Sequence, residues 1–388
     1  MSKVLSLPGK GTPPGPAPPL NSVEEILHDL RAGGMVVIMD DEDRENEGDL
    51  IMAAEHATPE AVAFMIRHTS GIICVPMEEE QLARLDLPQM VPMNSESHRT
   101  AFTVSVDLRA GTTTGVSSAD RAATIRALAE PASSPADFAR PGHIFPLRSR
   151  RGGVLVRAGH TEASVDLCRL AGLKPVGVLC EVMNDDGSMA RRPQLQEFAR
   201  RHQLKVGTIA DLIRHRLRTE RSVVRISEHS VQTELGEFRL YAYQDDVSLE
   251  MHLALAHGRL DGPETPLVRV HLADTLRDLF GVRGPARTWT LRAAMQRIVA
   301  AGNGVVIVLR QQESARELAA ALRSFAAATP AAPDGSAGEG AVLRTFGVGA
   351  QILKDLGVKR MRVLSAPKQM HGISAFGLEI EGYVGAEG

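Results

Sequence analysis

The chain has 388 residues, 43% of them hydrophobic and 23% charged, with a formal net charge of -3. That length exceeds one ordinary core and suits two domains, and the near-balanced charge gives no bulk attraction to nucleic acid or to anionic lipid, so neither is expected as a partner. No window approaches the roughly 20 apolar residues of a membrane helix. Residues 1–20, MSKVLSLPGKGTPPGPAPPL, are rich in proline and glycine where a signal peptide is apolar, and are expected to form a disordered tail on a cytoplasmic protein. Cys74, Cys168 and Cys180 have no paired spacing that would build a zinc knuckle or a disulfide framework, and they read as reduced, buried thiols.

Along the chain, NSVEEILHDLRAGG (21–34) predicts a helix with an Asn or Ser cap, apolar Val23, Ile26, Leu27 and Leu30 at helical spacing, and a stop at Gly33. MVVIM follows as a short buried strand, and the acidic stretch DDEDRENEGDL (40–50) begins where that strand ends. TPEAVAFMIRHTSG predicts a second helix, with Thr58 as cap, Pro59 at its first position and Gly71 as stop, followed by the strand IICVPM. AFTVSVDL (101–108) reads as a strand, SSADRAATIRALAE as a helix, RPGHIFPL (140–147) as a Pro-Gly turn carrying His143, and GGVLVRAG (152–159) as a β-branched run. TEASVDLCRLAGL reads as a helix capped by Thr161, VGVLCEVMN as a strand bearing Glu181, and PQLQEFARRHQL and TIADLIRHRLR as closing helices. The alternation predicts a mixed α/β layer structure with ligand chemistry at strand-to-helix loops. From about Ser222 longer alternating runs such as EFRLYAYQ predict a second domain, and AAATPAAPDGSAGEG (326–340) a flexible loop within it.

The acidic stretch admits three readings. A solvated surface is the ordinary one. An EF-hand fails, because a frame starting at Asp41 puts Asn46 where the turn glycine belongs and Met52 where the bidentate glutamate belongs. A Mg²⁺ site is the third, since that ion takes one or two carboxylates and keeps waters for substrate oxygens to displace. RAGHTEAS (157–164) adds Arg157 for a forked anion contact, a helix start at Thr161 for a phosphate, and His160, able to ligate a metal or move a proton. Glu181, with apolar Leu179 and Val182 beside it, suits an acid–base catalyst or points to solvent from an edge strand. GTTTGVSSADRAA, a loop running into a helix capped near Ser118, offers a second oxyanion cradle.

Taken together, DDEDRENEGDL, SGIICVPM, TAFTVSVDLRAGTTTGVSSADRA, RPGHIFPLRSRRGGVLVRAGHTEASVDL and VGVLCEVMNDDGSMAR resemble 3,4-dihydroxy-2-butanone 4-phosphate synthase of riboflavin biosynthesis. The resemblance implies an N-terminal three-layer mixed-sheet domain over 21–219, a homodimer, and a lyase that converts D-ribulose 5-phosphate to L-3,4-dihydroxy-2-butanone 4-phosphate and formate with Mg²⁺ or Mn²⁺. By matching motif positions it implies metal ligands at Glu45 and His160. Sugar-phosphate contacts are implied at Arg44, Glu45, Asp49, Arg157, Ala158, Gly159, His160, Thr161 and Glu181, and turnover is implied to depend on His143, Glu181 and Asp49.

The second half, through ELGEFRLYAY, PLVRVH and FGVGAQILKDLGVKRMRVLS, resembles an α+β GTP cyclohydrolase II domain, expected over 222–386. Its working parts are missing. The family's three zinc cysteines have no counterpart after Cys180, so no zinc is expected; QQESARELA from Gln311 replaces the phosphate segment, and VLRTF keeps only Arg344, with Val342 and Phe346 in place of the acid and the tyrosine. The expectation is a retained fold that stabilises, dimerises or regulates the synthase. The alternatives are a bifunctional enzyme with a rearranged second site and, for the whole protein, a sugar-phosphate or nucleotide sensor without catalysis.

Overall fold

The computed structural model describes residues 20–282, 289–310, 318–319, 322–323, 339–367 and 373–386. The tail expected at 1–20 therefore falls outside the described residues apart from Leu20, as do most of 326–340 and the segment at Gln311. In chain order the first elements are α1 (Val23–Arg31), β1 (Val36–Met39), β2 (Gly48–Ala53), α2 (Pro59–His68), β3 (Cys74–Met77), α3 (Glu79–Arg84), β4 (Val106–Leu108), α4 (Ser118–Ala129) and β5 (Phe138–Arg148). They continue with α5 (His160–Leu170), β6 (Gly177–Glu181), α6 (Arg192–His202), β7 (Lys205–Thr208) and α7 (Ile209–Thr219). Then come β8 (Val223–Thr233), β9 (Gly236–Asp245), β10 (Met251–His257), β11 (Leu267–Leu272), α8 (Thr275–Phe280), α9 (Leu291–Ala301) and β12 (Gly304–Leu309). The last are α10 (Glu339–Asp355), β13 (Arg360–Leu364) and β14 (Glu379–Val384).

Two compact units result, and they do not follow the chain linearly. The first holds residues up to Asp40, Asn46–Arg148 and Leu167–Thr208; the second holds Asp41–Glu45, Ser149–Asp166 and everything from Ile209.

In the first unit seven strands run in the order β4-β5-β3-β6-β2-β1-β7. The sheet is mixed: β2 pairs antiparallel with both β1 and β6, while β1 and β7, and β3 and β5, pair in parallel. VVIM and GDLIMA are buried at every position, as interior strands covered on both faces must be. Val37, Met39, Leu50, Met52, Val75 and Val178 join Val62 and Met65 of α2, Ile125 and Leu128 of α4 and Leu195 of α6 in one core. Ile38 alternates to the opposite face, where Ile26 of α1 fills the space above Gly207. Helices thus cover both faces, giving the three layers expected. The cap of α1 is Ser22, whose Oγ accepts from Glu25 N–H while Glu25 Oε2 accepts from Ser22 N–H.

Four local expectations are corrected. Of 101–108 only Val106–Leu108 is strand; the residues before it hold isolated bridges at Phe102 and Thr103. The Pro-Gly segment is no turn but lies inside β5, where residues 140–143 loop out between the Val106–Ile144 and Asp107–Ala139 pairs. The run at 152–159 forms a one-turn 3-10 helix, Gly153–Leu155, because Gly152 and Gly153 take φ of 89° and 62°, outside the strand region. Finally, α5 starts at His160, with Ala163 N–H donating to Gly159 O at 2.9 Å, so the cap is Gly159 and not Thr161.

The second unit has its own seven-stranded sheet, β14-β13-β11-β12-β10-β9-β8. Val305, Ile307 and Leu309 of β12 pack with Ile352 and Leu353 of α10, and the alternating Val306 and Val308 with Ala294 and Ile298 of α9. Among the described residues no helix is long and apolar enough to cross a membrane.

Ile125 is fully buried under the first sheet. Ile125→Ala is expected to cost about 2–5 kcal/mol, seen as a lower urea midpoint at an unchanged slope.

Candidate functional site

In the first unit the pairing of β2 with β6 sets Asp49 directly opposite Glu181. Asp49 is 2% exposed. Glu181 is half-buried at the end of β6, which lies between β3 and β2, so the edge-strand alternative for it is excluded. Ser70, which sequence reasoning missed, fixes the glutamate from two sides: its Oγ donates to Glu181 Oε2 at 2.6 Å, and its N–H to Glu181 O at 2.9 Å. Cys74 and Cys180 are free, buried thiols in the same strands, and burial raises both, Cys180 to about 11. They are therefore protonated at neutral pH and carry no charge toward the carboxylates.

His143 sits on the looped-out part of β5. Its Nδ1–H donates to Asp107 Oδ2 at 2.7 Å, and its backbone N–H to Asp107 Oδ1 at 2.9 Å. A carboxylate only accepts, so this contact fixes the tautomer and leaves Nε2 on an imidazole whose side chain is 45% exposed. Asp107, the middle residue of the short β4, was not singled out from sequence, where nothing marks it apart from other acids in strands.

The cradle expected at 111–118 already holds an anion of its own. Thr113 N–H, Thr113 Oγ1 and Gly115 N–H donate to Asp120 Oδ2 at 3.2, 2.8 and 3.1 Å, and the helix cap is Ser117. These bonds, the Thr113 hydroxyl foremost, hold the Asp120 carboxyl below the ordinary aspartate range.

The second unit contains the other half of the expected set. Arg44 Nη2 lies 2.9 Å from Glu45 Oε1, and the other oxygen, Oε2, lies 3.8 Å from Nδ1 of buried His160. That gap is too long for a hydrogen bond and matches two ligands of one ion with bonds near 2 Å. Arg157 Nη1 donates to Glu162 Oε2 at 2.7 Å, and Arg150 N–H to Glu162 Oε1 at 3.1 Å, so a buried glutamate holds both ends of the loop. A Cβ at Gly159 would meet Arg157 Nη1 and lie 3.1 Å from Arg44 Nη2. Glycine is what lets two guanidinium groups close on the start of α5, where the first N–H groups have no intrahelical partner. Ala158 is half-buried in this loop, and Thr161 is buried in the first turn. Of the acidic stretch only Glu42 and Asp43 are exposed, so the ordinary surface reading does not describe it.

Further along the second unit, the segment after PLVRVH folds as α8, capped by Asp274, with His271 Nε2 2.9 Å from both carboxylate oxygens of Asp278. Arg344, on α10, donates to Val154 O at 3.4 Å beside a cavity of about 320 Å³ lined in part by Leu155, Val156 and His252. Burial lowers the pKa of the Arg344 guanidinium.

The pattern of the 3,4-dihydroxy-2-butanone 4-phosphate synthase family matches residues 24–215, and that of GTP cyclohydrolase II matches residues 224–385. Over 368 residues the chain is 52% identical to a 3,4-dihydroxy-2-butanone 4-phosphate synthase of Pseudomonas aeruginosa, covering 95% of this chain and 100% of that one. The chain belongs to the 3,4-dihydroxy-2-butanone 4-phosphate synthase family. The solved two-domain synthase RibBX from A. baumannii matches with a TM-score of 0.81 at 42% identity, over 94% of this chain and 99% of that one. A synthase solved in complex with two magnesium ions matches with a TM-score of 0.50 at 48% identity, over 52% of this chain and 98% of that one. The family is one of metal-dependent lyases in riboflavin biosynthesis, and here it is joined to a cyclohydrolase II-like region.

Because the Asp120 carboxyl is held below its ordinary value, its contribution to stability is present above the aspartate range and lost as pH falls through it. Asp120→Asn is expected to lower the urea midpoint at pH 7, with the gap to the parent protein narrowing below about pH 3.9.

Proposed function

We propose that the chain converts D-ribulose 5-phosphate to L-3,4-dihydroxy-2-butanone 4-phosphate and formate, with Mg²⁺ or Mn²⁺ held by Glu45 and His160. The observation that carries this reading is the 3.8 Å gap between Glu45 Oε2 and His160 Nδ1, with the second glutamate oxygen taken by Arg44. A hard ion takes oxygen and imidazole donors of this kind, and when bound it offsets negative charge on the carbonyl and neighbouring hydroxyl oxygens of a ketose.

The rest is work for the side chains. Asp49 or Glu181 removes the proton beside the carbonyl; the two face each other across β2 and β6, and Ser70 fixes the orientation of Glu181. His143, its Nδ1–H committed to Asp107, moves protons through Nε2 in later steps. Arg44, Arg157 and the Gly159–Thr161 start of α5 bind the phosphate, so that binding energy remote from the reacting carbons orients them. The protein works in the cytoplasm as a homodimer, with its two regions meeting between residues 219 and 222. Neither nucleic acid nor membrane is a partner.

The cyclohydrolase II-like region serves as a scaffold for the synthase. No cysteine follows Cys180, so a thiolate zinc site has no ligands there. Arg344, the remaining member of the resembled catalytic run, is bonded to the Val154 carbonyl of the synthase loop.

Glu45→Gln is expected to reduce turnover of ribulose 5-phosphate by at least about 100-fold at limiting Mg²⁺ and to raise the Mg²⁺ requirement; unchanged turnover would refute the metal assignment. Deuterium exchange at C3, followed by NMR, should vanish in either Asp49→Asn or Glu181→Gln, and full exchange in both removes the base assignment. Formate is common to the synthase and cyclohydrolase reactions, so pyrophosphate is the discriminating product: the full chain supplied with GTP is expected to release none. Release of pyrophosphate would establish a rearranged second site.

A further inference from the structure

The loop carrying Arg157 and His160 is held by a buried guanidinium that nothing in the proposed chemistry uses. Arg216, on α7, donates through Nη1 to Asp166 Oδ2 at 2.7 Å and to Gly152 O at 2.8 Å. Its other two nitrogens bind Glu220, Nε to Oε1 at 2.8 Å and Nη2 to Oε2 at 2.7 Å. Asp166 Oδ2 also accepts from Val154 N–H at 2.8 Å, and the side chains of Arg216 and Asp166 are only 8% and 1% exposed. One arginine therefore fixes a carbonyl at the start of the loop, an N–H in its middle, and a carboxylate on the helix that opens with His160.

Arg216 is itself held from the cyclohydrolase II-like region. Gln351 of α10 donates through Nε2 to Leu217 O at 3.2 Å and to Glu220 O at 3.1 Å, satisfying carbonyls that the end of α7 leaves without helical partners. A Cβ at Gly347 would lie 2.6 Å from Leu217 Cδ1, so α10 meets α7 at closest approach. Arg344, one turn earlier, binds Val154 O, and the contact reaches the loop from a second direction.

We propose that Arg216 is a positioning residue for the synthase: braced by α10, it sets the 152–160 loop so that His160 and Arg157 stand where metal and phosphate bind. The proposal rests on the reading of Glu45 and His160 as metal ligands. A planar fork with five donors can serve the Gly152 carbonyl, Asp166 and Glu220 at once, and a lysine ammonium cannot.

The test uses the full chain and two variants, Arg216→Lys and the charge-balanced Arg216→Met with Asp166→Asn, each checked for folding by near-UV circular dichroism. Mn²⁺ affinity is measured by the EPR signal of the free ion, and kcat and KM with ribulose 5-phosphate. Folded variants are expected to bind Mn²⁺ about 10-fold or more weakly, as outer-shell substitutions do, and to show a KM raised by more than kcat falls. Gln351→Ala, which touches neither loop nor substrate, is expected to shift both in the same direction by a smaller factor. Folded Arg216 variants with parental Mn²⁺ affinity and parental KM would overturn the proposal. Absence of turnover in the parent chain would instead overturn the functional reading, while a Mn²⁺ shift in the same variants would still support the role of Arg216.

Discussion

The antiparallel register of β2 and β6 places two carboxylates, Asp49 and Glu181, face to face on adjacent interior strands. Like charges directly opposite in a sheet oppose its pairing, and a charge at Asp49, almost wholly removed from water, is more costly still. The sheet tolerates this because the remainder of both strands is apolar and covered: Leu50 and Met52 reach the α2–α4–α6 core and Ile51 the opposite face. Ser70 absorbs part of the cost by donating its hydroxyl to Glu181 Oε2. A fold optimised for stability alone would place valines at these positions. A facing carboxylate pair on interior strands is a local conflict with stability of the kind that accompanies a functional site.

A different logic governs the second unit, where charges are held by opposite charges. Glu45 divides its oxygens between Arg44 and the space before His160, and Glu162 binds Arg157 and the Arg150 N–H. Each arginine is thereby oriented by a carboxylate. Gly159 completes the arrangement by leaving out the Cβ that would push both guanidinium groups from the helix start.

Much of this was legible in the sequence because it is written in short-range patterns. The caps at Ser22 and Thr58, the all-apolar VVIM strand and the alternating EFRLYAYQ strand all follow from residue types a few positions apart. What was not legible depended on pairing across the chain. The Pro-Gly segment looks like a turn until β4 and β3 are aligned beside it, and only then does it become a loop-out within a strand. Asp107, Ser70, Asp166 and Arg216 are ordinary residues locally, and they gain their roles from partners 36, 111 and 50 positions away. The oxyanion cradle at 111–118 misled because its occupant, the Asp120 carboxylate, lies in the helix it introduces, and sequence spacing does not say whether an acid turns back.

In the cyclohydrolase II-like region no cysteine follows Cys180, while the seven-stranded sheet and the α10 helix packed on it form a well-buried core. There α10 presents a glycine where it meets Leu217, a glutamine where α7 ends, and an arginine on the Val154 carbonyl. All three meet residues between 154 and 220. Contacts of that kind need rigid backbone and correct packing but no catalytic chemistry.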